Sequence, residues 1–333
     1  MSKRKCLVTG GAGFIGSHLV DALVSKGCDV AVIDNLSTGR MENLIDVENK
    51  IELIKRDVSE RGDWEETFSE VDWVFHLAAL ADIVPSIKQP EDYFCANVTG
   101  TFNVLQASLK AKIRRFVYVA SSSSYGIPEQ YPTPETSKID PQYPYALTKY
   151  LGEALVLHWA KVYNLAALSL RFFNVYGPRA RTSGSYGAVF GVFLAQKLAG
   201  QPFTVVGDGE QTRDFTYISD IVSALICAAE SGYSNRVYNV GSGQTVSVNR
   251  LVDLLGGEKV HIPKRPGEPD CTYADIRKVM QELNWSPNVS IEEGVNLLLD
   301  DLDAWGAAPV WNPESIAEAT RDWFYFLDRQ KDQ

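Results

Sequence analysis

The stretch CLVTGGAGFIGSHLVDAL, Cys6 to Leu23, decides how the rest of the chain is read. A short apolar run leads into glycines at Gly11-x-Gly13-x-x-Gly16, overlaid on Gly10-x-x-Gly13-x-x-Gly16, and then into a helical pattern. Glycines at these spacings let a chain turn tightly from strand to helix. They also let a pyrophosphate approach backbone N–H groups at the helix N-terminus, beside Phe14 and Ile15. A second strand-like run, DVAVID, ends on Asp34, 18 residues past Gly16, with Asn35 next. A carboxylate there accepts hydrogen bonds from a ribose diol and repels a 2′-phosphate, which favours NAD over NADP. Arg40 in DNLSTGR pulls the other way, and reads as a solvated loop charge. Asp57-Val58, closing a third strand, is placed to meet an adenine edge.

Outward from this stretch, β-like runs alternate with helical patterns as far as residue 175. Strands are expected at 6–10, 29–34, 51–57, 73–79, 115–122 and 167–175, with helices over 16–27, 63–70, 93–112 and 145–164. Nearly continuous apolar strands imply burial on both faces, hence a parallel sheet covered by helices. The alternation predicts a doubly wound α/β fold, a Rossmann domain over 1–175. Beyond it, glycine and proline become frequent and elements shorten. Residues 176–333 are expected to form mostly a smaller α/β cap domain, with segments near 210–245 returning to the large one through a strand at 236–243. An amphipathic helix is expected at about 313–328, as a packing or contact helix, and the tryptophan and phenylalanines there as core or interface.

The chain has 333 residues, 45% of them hydrophobic and 22% charged, so it can bury a large core and disorder is not expected. A net charge of −10 argues against a nucleic-acid surface. Five scattered cysteines, no histidine at metal-ligand spacing and no apolar run near membrane length point to a reduced, cytoplasmic, metal-free protein. His18 and His76 are expected to pack near the cofactor, and His158 and His261 to be structural.

Two further stretches carry chemistry: VASSSSYG, Val119 to Gly126, and YALTK, Tyr145 to Lys149. Tyr145 and Lys149 lie one helical turn apart on one face. A cationic ring and an ammonium nearby favour tyrosinate, which takes a proton from an alcohol as hydride leaves its carbon. With HLAA (76–79), NVTGT (97–101), RFFNVYGPR (171–179), GDGEQTRDFTYISD (207–220) and RPGEPDCTYAD (265–275), these stretches resemble the extended short-chain dehydrogenase/reductase family. Within it, the resemblance is to the nucleotide-sugar epimerases and dehydratases, over nearly the whole chain.

The resemblance implies Tyr145 as general base, Lys149 as its electrostatic partner and a holder of the nicotinamide ribose, and Ser121 as the catalytic serine. It implies that Leu77, Ala78, Ala79 and Asn97 line the cofactor, and that Asn174 meets the diphosphate of a nucleotide-diphosphate sugar. Arg213 and Arg265 would grip that diphosphate, with Glu268 at the nucleoside ribose. The dehydratases and uronic acid decarboxylases generally carry Glu where this chain has Ser123, and the glucose dehydratases Asp where it has Ser122. A hydroxyl does not replace a carboxylate acid/base near neutrality. The serines therefore favour C4 epimerisation over elimination. Thr272 stands where epimerases that reject N-acetyl sugars have a bulky Tyr, leaving room for a 2-acetamido group. A 4,6-dehydratase, a C4 dehydrogenase or reductase, and a non-catalytic NAD-binding protein are the alternatives. The base and the sugar's C2, C5 and C6 substituents stay open. The family's usual four-helix contact implies a homodimer through helices around 95–111 and 146–162.

Overall fold

A computed structural model describes residues 3–180 and 188–328. Its centre is a seven-stranded, all-parallel sheet. The first four strands are β1 (Lys5–Thr9), β2 (Asp29–Asp34), β3 (Ile51–Lys55) and β4 (Trp73–His76); β5 (Arg115–Ser121) and β6 (Ala167–Phe172) follow. The seventh, Arg236–Val240, comes from far down the chain and pairs with β6. The spatial order is 236–240, β6, β5, β4, β1, β2, β3. The order reverses between β1 and β4, and a doubly wound sheet opens its ligand crevice at the carboxyl ends of its strands at such a point.

Alternate side chains explain the continuous apolar runs. Cys6 and Val8 of β1 face one core with Val32, Phe75 and Val117, while Leu7 faces the other with Ile33, Val74 and Phe116. Helices α1 (Phe14–Ser25), α2 (Ile83–Lys88), α3 (Pro90–Phe94), α4 (Gly100–Ala111) and α5 (Pro144–Val162) connect the strands. One wide turn, Cys95–Thr99, divides α3 from α4 where a single helix is expected from the periodicity. Residues 63–68 form only a tight 3-10 turn.

Several strand ends fall short of the sequence pattern, each at the cleft. β3 stops at Lys55 because Asp57 instead caps its own turn, accepting hydrogen bonds from Ser59 N at 2.8 Å and Ser59 Oγ at 2.7 Å. β4 stops at His76, so residues 77–79 form cleft lining. β6 stops at Phe172. The next residues form β7 (Asn174–Tyr176), which leaves the sheet and pairs with a later strand, Phe215–Tyr217.

From residue 188 onward come α6 (Val189–Leu198), β8 (Phe203–Val206), β9 (Thr212–Arg213), β10 (Phe215–Tyr217), α7 (Ile218–Glu230) and β11, the seventh sheet strand (Arg236–Val240). Then follow β12 (Val246–Ser247), α8 (Val248–Leu255), β13 (Lys259–Ile262), α9 (Arg277–Leu283), α10 (Ile291–Asp300) and α11 (Pro313–Leu327). Two small sheets, β8 with β13 and β9 with β12, form the cleft's other wall. Helix α11 starts where sequence predicts, because Asn312 accepts from Ser315 N at 2.8 Å and Ser315 Oγ accepts from Asn312 N at 3.0 Å.

Behind the cleft, Arg171 of β6 is buried against Glu153 of α5, with Nε 3.2 and 3.0 Å from its two oxygens. Arg171 also donates to the Tyr125 hydroxyl at 2.7 Å, which donates to Asn239 of β11 at 2.7 Å. Ser169 completes the carboxylate's shell at 2.8 Å. Burial pushes the Tyr125 phenol up to about 12, so it stays a neutral donor. A buried ion pair with every lone pair used is the form that escapes its desolvation cost. This network sets the SSSSYG segment on α5, β6 and β11 together.

Candidate active site

One cavity of about 1070 Å3 runs from the glycine loop to the 265–272 segment. At its first end the chain leaves β1 through Gly10, whose φ of +72° favours glycine. A Cβ there would lie 2.7 Å from Ala78 N, and one on Gly16 would lie 2.1 Å from Gly10 O. The loop and helix are therefore packed as closely as backbone allows. Gly13 precedes α1 and supplies no side-chain cap. The first-turn N–H groups are thus left for a ligand, and a helix N-terminus favours an anion. Asp34 accepts from Ala12 N at 2.9 Å and Leu36 N at 2.8 Å. Burial raises its pKa in spite of these bonds. Asn35 donates to Asp57 at 2.7 Å, tying two strand ends along the same wall. Arg40 is half-buried and reaches the Arg179 carbonyl and Asn43 at 3.4 Å each, so it is a tie between segments rather than the expected solvated charge.

At the middle of the cavity, β5 delivers the serines. Ser121 Oγ lies 2.6 Å from Ser123 Oγ and accepts from Ser123 N at 3.2 Å, while Ser124 turns back to the Ser121 carbonyl at 2.8 Å. Ser122 lines the same stretch. Burial pushes the Tyr145 phenol's pKa above the ordinary value and the charge of Asp82 adds to the rise, while neighbouring Ser121 pulls against it. Burial drives the Lys149 amine down to about 7 against the pull of Glu153. Its Nζ sits 4.6 Å from the centre of the Tyr118 ring. His76, behind the site, is held between Thr9 and Thr101 at 2.7 and 2.9 Å. Burial and the Lys149 charge lower its pKa to about 3, so it stays neutral.

At the far end, Glu268 accepts from Arg213 at 3.1 Å and lies 3.8 Å from Arg265. Thr272 donates to Asn174 at 2.7 Å and accepts from Asp214 N at 3.1 Å.

The family model described as the NAD dependent epimerase/dehydratase family matches residues 6–241. The chain belongs to that family. It is 36% identical over 303 residues to the UDP-glucose 4-epimerase of Mycolicibacterium smegmatis, covering 87% of this chain and 96% of that one. It is 33% identical over 314 residues to a UDP-N-acetyl-alpha-D-glucosaminuronate decarboxylase of Bacillus cytotoxicus, covering 88% and 96%. Its fold matches the UDP-N-acetylglucosamine 4-epimerase of Methanobrevibacter ruminantium, solved with UDP-N-acetylmuramic acid. That match has a TM-score of 0.85 and 34% identity, and covers 90% of this chain and all of the other.

As a member of this family the chain is an NAD-dependent enzyme, and its residues fit that cofactor. The glycine cradle that a Cβ would fill, the open first turn of α1 and the fixed Asp34 carboxylate meet the demands of a pyrophosphate and a ribose diol. The expected cofactor residues Gly10, Gly13, Phe14, Ile15, Gly16 and Asp34 line the cavity, as do Asn35, Asp57, Val58 and Leu77 to Ala79. Asn97 stands behind this lining. It is 1% exposed and outside the lining, because its amide is consumed by Leu80 N and O at 2.7 and 3.0 Å and by Thr148 Oγ1 at 3.0 Å. It pins the strand end that lines the cleft to α5, and reaches it through the wide turn at 95–99.

Three of the lining residues that sequence did not single out stand close to the catalytic or diphosphate groups. Tyr143 stands two before Tyr145, its ring parallel to it at 6.5 Å. Asp82 adopts φ +89°, a strained conformation for a residue with a side chain. Trp323 comes from α11, which sequence assigned to packing or an oligomer contact; it carries no motif, and only the fold brings it to the cleft.

Proposed function

We propose that this enzyme epimerises C4 of a nucleotide-diphosphate sugar of the UDP-GlcNAc or UDP-Glc type through a transient 4-keto sugar. The observation that carries the reading is Ser121 hydrogen-bonded to Ser123 in one cleft lining with Tyr145 and a buried Lys149, at a strand end with no carboxylate of its own. NAD supplies a hydride acceptor at C4 and a positive ring that favours the phenolate. Tyr145 takes the C4 hydroxyl proton and returns it, while Ser121 orients that hydroxyl. Lys149, poised near neutrality, stabilises the phenolate by its charge. Arg213 and Arg265 hold the diphosphate, and Glu268 orients both. Asn174 and Thr272 form the wall that leaves a 2-acetamido group its room. In this reading residues 1–175, with the strand and helix near 210–245, hold NAD, and most of 176–333 holds the sugar nucleotide. The enzyme works as a cytoplasmic homodimer.

Asp82 favours a second reading. A strained carboxylate in the cleft beside Tyr145 is able to carry a proton at a second carbon, as a dehydratase requires.

The test is a product assay. Purified protein without added cofactor is incubated with UDP-GlcNAc, UDP-Glc and GDP-sugars, and the anomeric and H4 couplings are followed by NMR. The C4 epimer is expected, and Tyr145→Phe should cut its formation by about 10²–10⁴-fold. A 4-keto-6-deoxy product would instead establish the reading through Asp82.

A further inference from the structure

Helix α11 forms a part of the cleft wall that lies beyond the family model's residues 6–241. We infer that α11 is a positioning element of the substrate site, acting through Trp323 on Arg265. The inference rests on the proposal that Arg265 holds a diphosphate.

Trp323 is 2% exposed, yet it lines the cavity. Its indole N–H donates to the Pro266 carbonyl at 2.8 Å, which fixes the residue next to Arg265. The guanidinium carbon of Arg265 lies 5.5 Å from the indole ring centre. The Tyr143 ring lies 6.3 Å away on the path to Tyr145. The helix is seated on α2, where Trp323 and Leu327 pack with Val84, Ile83 and Ile87, and Lys88 faces Asp322 at 3.8 Å. Helix α2 starts one residue after Asp82, itself part of the lining. So α11 rests on two segments that both border the cleft.

The consequence is physical. An arginine has a long stem with several free rotors, and ordering it when a ligand arrives weakens binding. Held over the Trp323 ring and beside Glu268, Arg265 is ordered beforehand. Without the indole, Arg265 must be ordered by the ligand itself, and affinity for the diphosphate falls while the chemistry at Tyr145 is left alone. A helix that only supports the fold would show no such preference: its loss would weaken NAD and substrate together.

The experiment uses the full-length, NAD-loaded enzyme with UDP, GDP and dTDP as probes that share the diphosphate. Their dissociation constants are measured by calorimetry for wild type, Trp323→Phe and Trp323→Ala. Trp323→Ala is expected to bind the preferred diphosphate about tenfold more weakly, the scale of a lost desolvated cation–π contact. Trp323→Phe should lie between it and wild type, and bound NAD should be unchanged in both. Where a sugar is turned over, KM should rise while kcat stays within about twofold, since the interaction serves binding alone. Linkage also requires the diphosphate to stabilise the docked helix, so it should slow amide exchange over 313–327 in wild type. This last measurement needs no variant, and decides the matter if Trp323→Ala does not fold. Unchanged affinity in Trp323→Ala, parallel loss of NAD, indifferent exchange in α11, or no diphosphate bound by wild type would each overturn the inference. Diphosphate binding with the expected Trp323 effect but no epimer from any donor would fell the proposed function and leave the role of α11 standing.

Discussion

At the glycine-loop end, the cleft is walled by main chain: Gly10 against the backbone of Ala78, the uncapped first turn of α1, and Asp34 held by two backbone N–H groups. At the other end it is walled by side chains. Arg213 and Arg265 share Glu268, Thr272 meets Asn174, and Trp323 underlies Arg265. The first wall comes almost entirely from β1, α1 and β2, which are neighbours in sequence. The second draws on β7, β9, the 265–272 segment and α11. A wall made of backbone is set once local conformation is set. A wall made of side chains depends on which distant segments meet.

Four changes separate the two ends, the first three from the largest expected effect down. Glu153→Gln breaks the buried pair behind both, and should cost about 3–5 kcal/mol in denaturant unfolding. If it costs under about 1 kcal/mol, the Arg171 network is not what joins the halves. Gly16→Ala places a Cβ 2.1 Å from Gly10 O, and should cost about 1–3 kcal/mol of stability with most of the bound NAD. Nucleoside diphosphate binding at the far end should survive it. Loss of both ligands together would show that the two walls do not act separately.

Thr272→Tyr should lower kcat/KM for UDP-GlcNAc at least about tenfold relative to UDP-Glc, because the added ring occupies the space a 2-acetamido group needs. An equal fall for both sugars would remove Thr272 from sugar selection. The last effect is on pH dependence. Burial holds Lys149 at about 7 against its ordinary 10.5, so between those values the unfolded chain binds more protons than the folded one. Stability from this group therefore rises with pH across that window, and the cost of burying the ammonium is full below it. In cofactor-free protein, Lys149→Met should flatten the rise in unfolding midpoint from pH 7 to 10. A slope unchanged in the variant would show that Lys149 is hydrated.

Sequence periodicity and glycine spacing determined the parallel α/β sheet, the strand–loop–helix at residues 6–23 and the placing of Asp34. These depend on local conformation and on the burial of both sheet faces, which nearly continuous apolar runs express. The same reading located Tyr145 and Lys149 on one helical face, since a four-residue spacing leaves no other choice. Tertiary structure decided the rest. It turned Asn97 away from the cleft to pin Leu80, because a wide turn at 95–99 rotates it inward. It stopped β6 at Phe172, so that Asn174 joins a second sheet and faces Thr272. And it brought Trp323 beside Arg265 from a separate segment, a contact made by packing between segments whose separation no periodicity records.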